Sequence, residues 1–112
     1  MPHAELKYSS DLGIDAPKIL RAIEECINDH DPNAGACKGR AYLTDIFHHT
    51  HILVDISMLP KPHRDTAFTV RLRDDLEHLI KGCLTKACKF SLAITFTDQI
   101  YITNEFVPEA YA

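Results

Sequence analysis

The stretch HILVDISML at residues 51–59 decides the fold, because apolar and polar residues alternate along it. The apolar residues that face one side are Ile52, Val54, Ile56 and Met58. Asp55 and Ser57 stand between them and face the opposite side. A period of two residues predicts a β-strand with one buried face.

The residues after this strand predict a helix and then a further strand. Pro60-Lys61-Pro62-His63 forms a stiff connector, and Asp65 is a good N-cap for the helix. The apolar stripe of that helix consists of Phe68, Leu72, Leu76, Leu79, Ile80 and Cys83. Glu77 and Lys81 form an i,i+4 pair on its polar side. Residues 90–97 then alternate again, which predicts the next strand.

The first half of the chain repeats this order. Residues 3–9 predict a strand, Asp15 is a suitable cap for a helix with Pro17 in its first turn, and residues 40–47 predict a second strand. The apolar stripe of this helix consists of Ile19, Leu20, Ile23 and Ile27. The sequence therefore predicts an α+β fold: two β-α-β units that form a four-stranded sheet with two helices on one face, in a single domain over residues 1–112.

Two parts of this fold are expected to contact other copies of the chain. Helices on one face leave the other face of the sheet bare, and apolar residues fill both halves of the sequence. We therefore expect that face, or a sheet edge, to pack against neighbouring subunits. The tail, residues 99–112, is expected to hold a short strand at 101–103 and to end in a loose arm or an interface segment.

Charge and composition argue against several classes of protein. Twelve basic and sixteen acidic residues give a net charge of -4, whereas a nucleic-acid binder carries a basic excess. No apolar run approaches the ~20 residues of a membrane span, and no signal-peptide pattern is present. The cysteines contain no CxxC pair; they are Cys26, Cys37, Cys83 and Cys88. Reduced thiols in a cytoplasmic protein are expected.

Pro2 is a candidate general base. Methionine is normally removed before a small residue, and removal of Met1 would leave Pro2 with a free secondary amine on a rigid ring. An α-amino group has a pKa of about 7.7–8.0, which burial or nearby cations lower further. A base with a pKa near neutral suits proton transfer next to a carbonyl group.

Three segments and one arginine carry a resemblance to a known family. They are Met1-Pro2-His3, Lys38-Gly39-Arg40-Ala41, Leu53-Val54-Asp55-Ile56-Ser57-Met58, and Arg64 at the entrance to the second helix. With these residues the chain resembles the 5-carboxymethyl-2-hydroxymuconate isomerase family, a branch of the tautomerase superfamily. The resemblance spans roughly residues 1–97, and its most specific elements are Met-Pro-His and the two arginine positions.

The resemblance implies a homotrimer that acts in aromatic catabolism on a small carboxylated enol or dienol, without a metal or an organic cofactor. Pro2 would move a proton between carbon and oxygen as general base. Lys38, Arg40 and Arg64 would hold the carboxylates of the substrate and polarise its 2-oxo or 2-hydroxy group. Which of Lys38 and Arg40 faces the pocket stays open.

Elementary chemistry supports this grouping of a base with cations. Isomerising an unsaturated 2-oxo acid needs positive charge near the developing enolate oxygen and the carboxylate. The planar fork of arginine suits a carboxylate. The same cations would lower the pKa of the proline amine and keep it basic at pH 7. The alternative role for Arg40 or Arg64 is a surface salt bridge.

Two other functions stay open. The stiff connector at residues 60–63 replaces the glycine-rich connector usual in the family, so the chain could be a non-catalytic trimeric module that keeps the fold without the activity. The histidines within residues 48–51 could instead bind a metal, although no cysteine or carboxylate stands at a familiar zinc spacing. His3 should face the side of the strand opposite to Pro2, which indicates a structural role.

Overall fold

The computed structural model describes residues 1–111, with side chains as far as residue 109. Two strand-helix-strand units follow each other, and a tail with a short terminal helix comes after them. The elements are β1 (His3–Ser9), α1 (Ala16–His30), β2 (Lys38–Thr44), β3 (His51–Met58), α2 (Thr66–Lys81), β4 (Lys89–Phe96) and α3 (Pro108–Tyr111), with a 3-10 turn at Ser10–Leu12. The predicted order of elements is confirmed.

The four long strands form one mixed sheet in the order β2-β1-β3-β4. Within each unit the two strands are parallel neighbours, so β1 pairs with β2 and β3 pairs with β4. The two units join through β1 and β3, which run antiparallel. Both crossover helices pack on the same face of the sheet, and the two helices also contact each other. The predicted fold class is therefore confirmed.

Both long helices begin where the sequence indicated. The Asp15 side chain accepts a hydrogen bond from the backbone N–H of Lys18 at 3.2 Å, and Asp65 accepts one from Phe68 at 2.8 Å. Each carboxylate satisfies a backbone donor that has no partner inside the helix.

The core lies between the sheet and the helices. Alternation along the two central strands and the apolar stripes of both helices supply it. Its largest fully buried side chains are Leu6, Leu12, Ile19, Ile23, Ile27, Ile52, Val54, Ile56, Met58, Leu72, Leu76 and Ile80. The helix of each unit thus buries the apolar face of the two strands that it connects.

The second face of the sheet is polar, so the expectation of an apolar bare face was wrong. Paired residues on this open face include His3, Glu5, Lys38, Arg40 and Asp55. The physical reason is the period of two, which directs the apolar residues of the central strands toward the helices and the polar ones away. The exposed apolar side chains lie largely elsewhere, in the loop after β2 and in the tail: Ile46, Phe47, Ile100, Ile102, Phe106 and Val107.

Two boundaries differ from the sequence-based expectation. β2 spans Lys38–Thr44 instead of residues 40–47, because it pairs with β1 from His3 onward. The tail has irregular backbone at 101–103 where a strand was predicted, and Ala112 lies outside the described residues. The predicted strand did not form because β1 and β3 already pair on both sides and the tail joins neither sheet edge. Between residues 1 and 111, no helix is long and apolar enough to cross a membrane.

Candidate active site

The chain starts at one end of the sheet, beside its central strands. Pro2 is buried and immediately precedes β1. Its carbonyl oxygen accepts a hydrogen bond from the backbone N–H of Lys38 at 2.9 Å, so the start of β2 is fixed next to it. On the other side, His3 pairs with Ser57 near the end of β3. Pro2 is therefore fixed on the β2 side through its own carbonyl oxygen and on the β3 side through the next residue, His3.

The free amine in this structure belongs to Met1, and the nitrogen of Pro2 is part of a peptide bond. The pKa of the Met1 amine lies below its usual value, first because the amine is partly buried and then because of the charges of Lys38, Lys61 and Arg64. Lys38 lies at the start of β2, and Lys61 and Arg64 both lie in the connector between β3 and α2. Removal of Met1 would move the free amine to Pro2, the next residue of the chain.

Lys38 lies at the start of β2 on the open face. Its ammonium group donates a hydrogen bond to the hydroxyl oxygen of Thr103 in the tail, at 2.9 Å. It is the largest charge contribution to the lowered pKa of the Met1 amine, and it also lowers the pKa of His3. The structure therefore places Lys38 close to the start of the chain.

Arg40 lies two residues along β2 on the same face as Lys38. Its guanidinium binds the Glu5 carboxylate, with Nη2 at 2.7 Å and Nε at 3.0 Å from Oε1. Nη1 lies 3.3 Å from Nδ1 of His3. The side chain is partly exposed, at 43%. Arg40 thus contacts the residue next to Pro2, while Lys38 lies nearer to the amine.

The structure places Arg64 in the interior. Only 1% of its side chain is exposed, and Asp31, its partner, is 4% exposed. Nε and Nη2 donate to Oδ2 of Asp31 at 3.0 and 2.8 Å, and Nη1 donates to the carbonyl oxygen of Leu59 at 2.7 Å. The predicted contact of Arg64 with a substrate is not supported by this geometry, because every nitrogen of the guanidinium already donates within the protein.

Asp31 is held ionised by its partners. Burial raises the pKa of its carboxyl group, but hydrogen bonds from His63 and Arg64, together with their charges, outweigh burial and bring that pKa to about 2. Asp31 caps the end of α1 through its own backbone N–H, which donates to Ile27. The buried pair therefore ties the end of α1 to the connector before α2.

Sequence reasoning missed the contact between His3 and Tyr101 and the charge that Lys61 places near the chain start. His3 does point away from the core, as expected, but the open face is where Arg40 and Lys38 lie. Nε2 of His3 is 3.0 Å from the hydroxyl oxygen of Tyr101. Tyr101 and His3 are 98 residues apart, and no local pattern marks such a contact. His3 and Glu5 lie on the same face of the sheet as Lys38 and Arg40. This could be inferred only once the register between β1 and β2 was known.

Two of the cysteines are unreactive, and the described residues offer no metal site. Burial raises the pKa of the thiols of Cys26 and Cys37 to about 11, so both stay protonated and unreactive. Within residues 1–111, no three metal-ligating side chains are close enough together to hold a metal ion. At the start of β3, Nδ1 of His51 donates to the backbone oxygen of His49. This hydrogen bond occupies one of the two ring nitrogens of His51.

A cavity of about 400 Å³ lies away from Pro2, between the end of α2 and the start of β4. Its charged groups are already paired, Lys81 with Glu77 at 2.6 Å and Lys86 with Asp11 at 3.8 Å. Size alone does not make it the functional site, since no unpaired base or cation of the described chain faces it.

Comparisons with known proteins show a shared fold. No protein-family model and no curated protein matches the chain in sequence. The crystal structure of a 5-carboxymethyl-2-hydroxymuconate delta-isomerase matches it with a TM-score of 0.78 and 13% identity, over 99% of this chain and 92% of that one. A 5-carboxymethyl-2-hydroxymuconate isomerase from Deinococcus radiodurans R1 matches with a TM-score of 0.71 and 15% identity, over 98% and 92%.

A third structure extends the likeness beyond these isomerases. A macrophage migration inhibitory factor-like protein from Entamoeba histolytica has a TM-score of 0.65 and 14% identity, over 93% of this chain and 95% of that one. All three cover nearly the whole chain, including both β-α-β units. The resemblance inferred from the sequence is therefore confirmed at the level of the fold, and this chain has the tautomerase fold of the 5-carboxymethyl-2-hydroxymuconate isomerase structures.

Proposed function

We propose that this protein is an isomerase that moves a proton within a small carboxylated enol or dienol, with the amine of Pro2 as general base once Met1 is removed. The observation that carries this proposal is the environment of the chain start. The Met1 amine there has a lowered pKa, first because it is partly buried and then because of the charges of Lys38, Lys61 and Arg64, and the amine of Pro2 is expected to share these surroundings. A neutral amine at pH 7 can accept a proton, whereas an ammonium group cannot. The shared fold supports the proposal at a coarser level.

The reaction needs no external oxidant, reductant or cofactor. The lone pair of the Pro2 nitrogen takes the hydroxyl proton of the enol, and the enol oxygen becomes the carbonyl oxygen. The protonated amine then gives the same proton to carbon at the far end of the conjugated system. One O–H bond is replaced by one C–H bond, and the amine ends neutral.

Lys38 and Arg40 are each proposed to bind one carboxylate of the substrate. Lys38 lies nearer to the amine and would bind the carboxylate next to the reacting carbon. Its ammonium group would then donate to this carboxylate instead of to the hydroxyl oxygen of Thr103. Arg40 is partly exposed and could bind a second carboxylate with donors not used by Glu5. Arg64 would act only through its charge, which lowers the pKa of the amine from inside the protein.

The experiment is a pH–rate profile on protein without Met1. The rate of enol ketonisation should rise with pH through the pKa of the amine, with a midpoint below the usual range of about 7.7–8.0. Lys38→Ala removes a nearby positive charge, so the amine should keep its proton to higher pH and the midpoint should move up. Lys7→Ala is the matched control, because Lys7 lies on the same face of β1 but toward its far end.

Lys38→Ala should also weaken substrate binding by about tenfold to a hundredfold, because a hydrogen bond to a charged group contributes on the order of 1.5–3 kcal/mol. Identical midpoints and KM values for the wild type and both variants would contradict the role of Lys38. A rate without any dependence on an ionisation near neutral pH would contradict the amine as base.

The non-catalytic module remains the second candidate, and one observation favours it. Arg64, which the resemblance placed in the site, is consumed by a buried ion pair with Asp31. If protein with a free Pro2 amine turns over none of a panel of carboxylated enols, this second function becomes the better one.

A further inference from the structure

The tail crosses the open face at the end of the sheet where Pro2 lies. Tyr101 contacts His3 and Thr103 contacts Lys38, at 3.0 and 2.9 Å. Ile102, between them, is 83% exposed. The two inward side chains therefore meet the two residues that flank Pro2, one following it in the chain and one paired with it through the sheet.

The contacts of His3 fix which of its nitrogens carries the proton. Arg40 can only donate, so Nδ1 of His3, 3.3 Å from Nη1, must accept. The pKa of His3 is lowered, first by burial and then by Lys38, Arg40 and the chain amine, with Glu5 opposing them. A neutral ring that accepts at Nδ1 carries its proton at Nε2. Nε2–H therefore donates to the hydroxyl oxygen of Tyr101.

This direction leaves the hydroxyl proton of Tyr101 available. His3 donates to the phenolic oxygen, so the phenol does not donate to His3, and the structure assigns its proton no acceptor among the described residues. A chain of hydrogen bonds from Glu5 through Arg40 and His3 thus ends at an oriented O–H group beside the start of β1. Such preorganised donors are what a developing oxyanion needs.

We infer that Tyr101 is a substrate-contacting residue whose hydroxyl donates a hydrogen bond to the substrate oxygen that gains negative charge during proton transfer. This rests on the proposed function. The substrate would bind between the amine of Pro2 and Lys38, under residues 101–103 of the tail. Tyr101 donates without losing its proton, so the proton balance of the reaction is unchanged. Arg40, His3 and Glu5 act as positioning residues for the phenol.

The test compares three variants in protein without Met1, assayed with phenylenolpyruvate and 2-hydroxymuconate. Tyr101→Phe removes only the hydroxyl and should lower kcat about a hundredfold, as the loss of one oxyanion donor does, with a smaller change in KM. Tyr8→Phe is the control, because Tyr8 lies near the other end of β1 and faces the helices. Thr103→Val removes the other tail contact and should change kcat less than tenfold.

A second measurement is independent of turnover. Nitrogen-15 NMR of His3 at pH 7 should show the proton at Nε2 and an unprotonated Nδ1 in the wild type. A proton at Nδ1 would overturn the direction of the hydrogen-bond chain and with it the inference.

The outcomes separate this inference from the proposed function. If the wild type is active and Tyr101→Phe is equally active, the inference fails and the proposed function stands. If Tyr101→Phe and Thr103→Val lose the same activity, Tyr101 only anchors the tail, and the inference fails. If the wild type without Met1 is inactive on both enols, both fail together.

Discussion

The guanidinium of Arg64 links two parts of the chain from inside the protein. It donates to the carboxylate of Asp31, at the end of α1, and to the backbone oxygen of Leu59, after β3. Its own backbone N–H donates to Lys61. A charge this deeply buried is tolerated only when it is paired and fully hydrogen-bonded. The Arg64–Asp31 pair therefore holds the connector at residues 60–63 in place, in addition to the restriction that its two prolines impose.

Arg64→Ala should lower the free energy of unfolding by about 3–5 kcal/mol, because it leaves the Asp31 carboxylate buried without its main partner. Urea denaturation at pH 7 measures this. Arg73→Ala is the control: Arg73 is half exposed, pairs with Asp74 on the surface of α2, and should change stability by less than about 0.5 kcal/mol. Equally small losses of unfolding free energy in both variants would show that the Arg64–Asp31 pair does not stabilise the fold.

At the scale of elements, the position of β2 depends on a close approach to α1. A Cβ atom added to Gly39 would lie 2.9 Å from Cδ2 of Leu20 and 3.4 Å from its Cβ. Real Cβ atoms do not come as close as 2.9 Å, so glycine lets the strand lie against the helix. Lys38 and Arg40 flank this glycine, and the packing therefore also positions the two cations.

Gly39→Ala should destabilise the protein by about 1–3 kcal/mol, the usual cost of extra volume in a packed site. In a Leu20→Ala background the clash is gone, so the same substitution should cost at least about 1 kcal/mol less. A double-mutant cycle by chemical denaturation measures the coupling. An identical cost in both backgrounds would mean that Leu20 does not set the approach of β2.

The strands and helices could be predicted from the sequence wherever alternation or a helix cap determines them. Alternation indicated β1, β3 and β4, and the caps Asp15 and Asp65 indicated where the helices begin. The limits of β2 could not be predicted, because they depend on the pairing of His3 with Lys38. The tail was predicted to hold a short strand but joins no sheet edge, which a single sequence does not reveal.

The site could be predicted only in part. Met-Pro and the basic segment at Lys38 were visible in the sequence, and the structure brings them together. The burial of Arg64 was not visible, because its partner Asp31 is 33 residues away in a different loop. The contact of Tyr101 with His3 spans nearly the whole chain. Long-range contacts such as these depend on topology, which residue spacing does not encode.

At the scale of the whole molecule, the distribution of exposed apolar side chains indicates where copies could meet. The open face of the sheet is polar, but Ile46 is 94% exposed and Ile100 is 95% exposed. Such side chains, gathered in the loop after β2 and in the tail, would gain stability if covered by another subunit. We therefore propose that the homotrimer forms through these segments and the sheet edges.

Light scattering should give a mass near three times the 12.7 kDa of one protomer at micromolar concentration. Ile46→Asp should shift this mass toward that of the protomer, since a carboxylate would be buried at a contact. Val70→Asp, at a partly exposed apolar position on α2, should leave the mass unchanged. A monomer in the wild type would contradict the proposed assembly.

The most direct test of the account compares one protein with and without Met1. Protein is treated with a methionine aminopeptidase or left untreated, the state of its first residue is confirmed by intact mass, and both forms are assayed with 2-hydroxymuconate or phenylenolpyruvate. Because an amide nitrogen has no basic lone pair, the form with free Pro2 should ketonise the enol and the form that keeps Met1 should be nearly inert. Pro2→Ala without Met1 should retain part of the activity through its primary amine. Equal turnover by the treated and untreated forms would contradict Pro2 as the base.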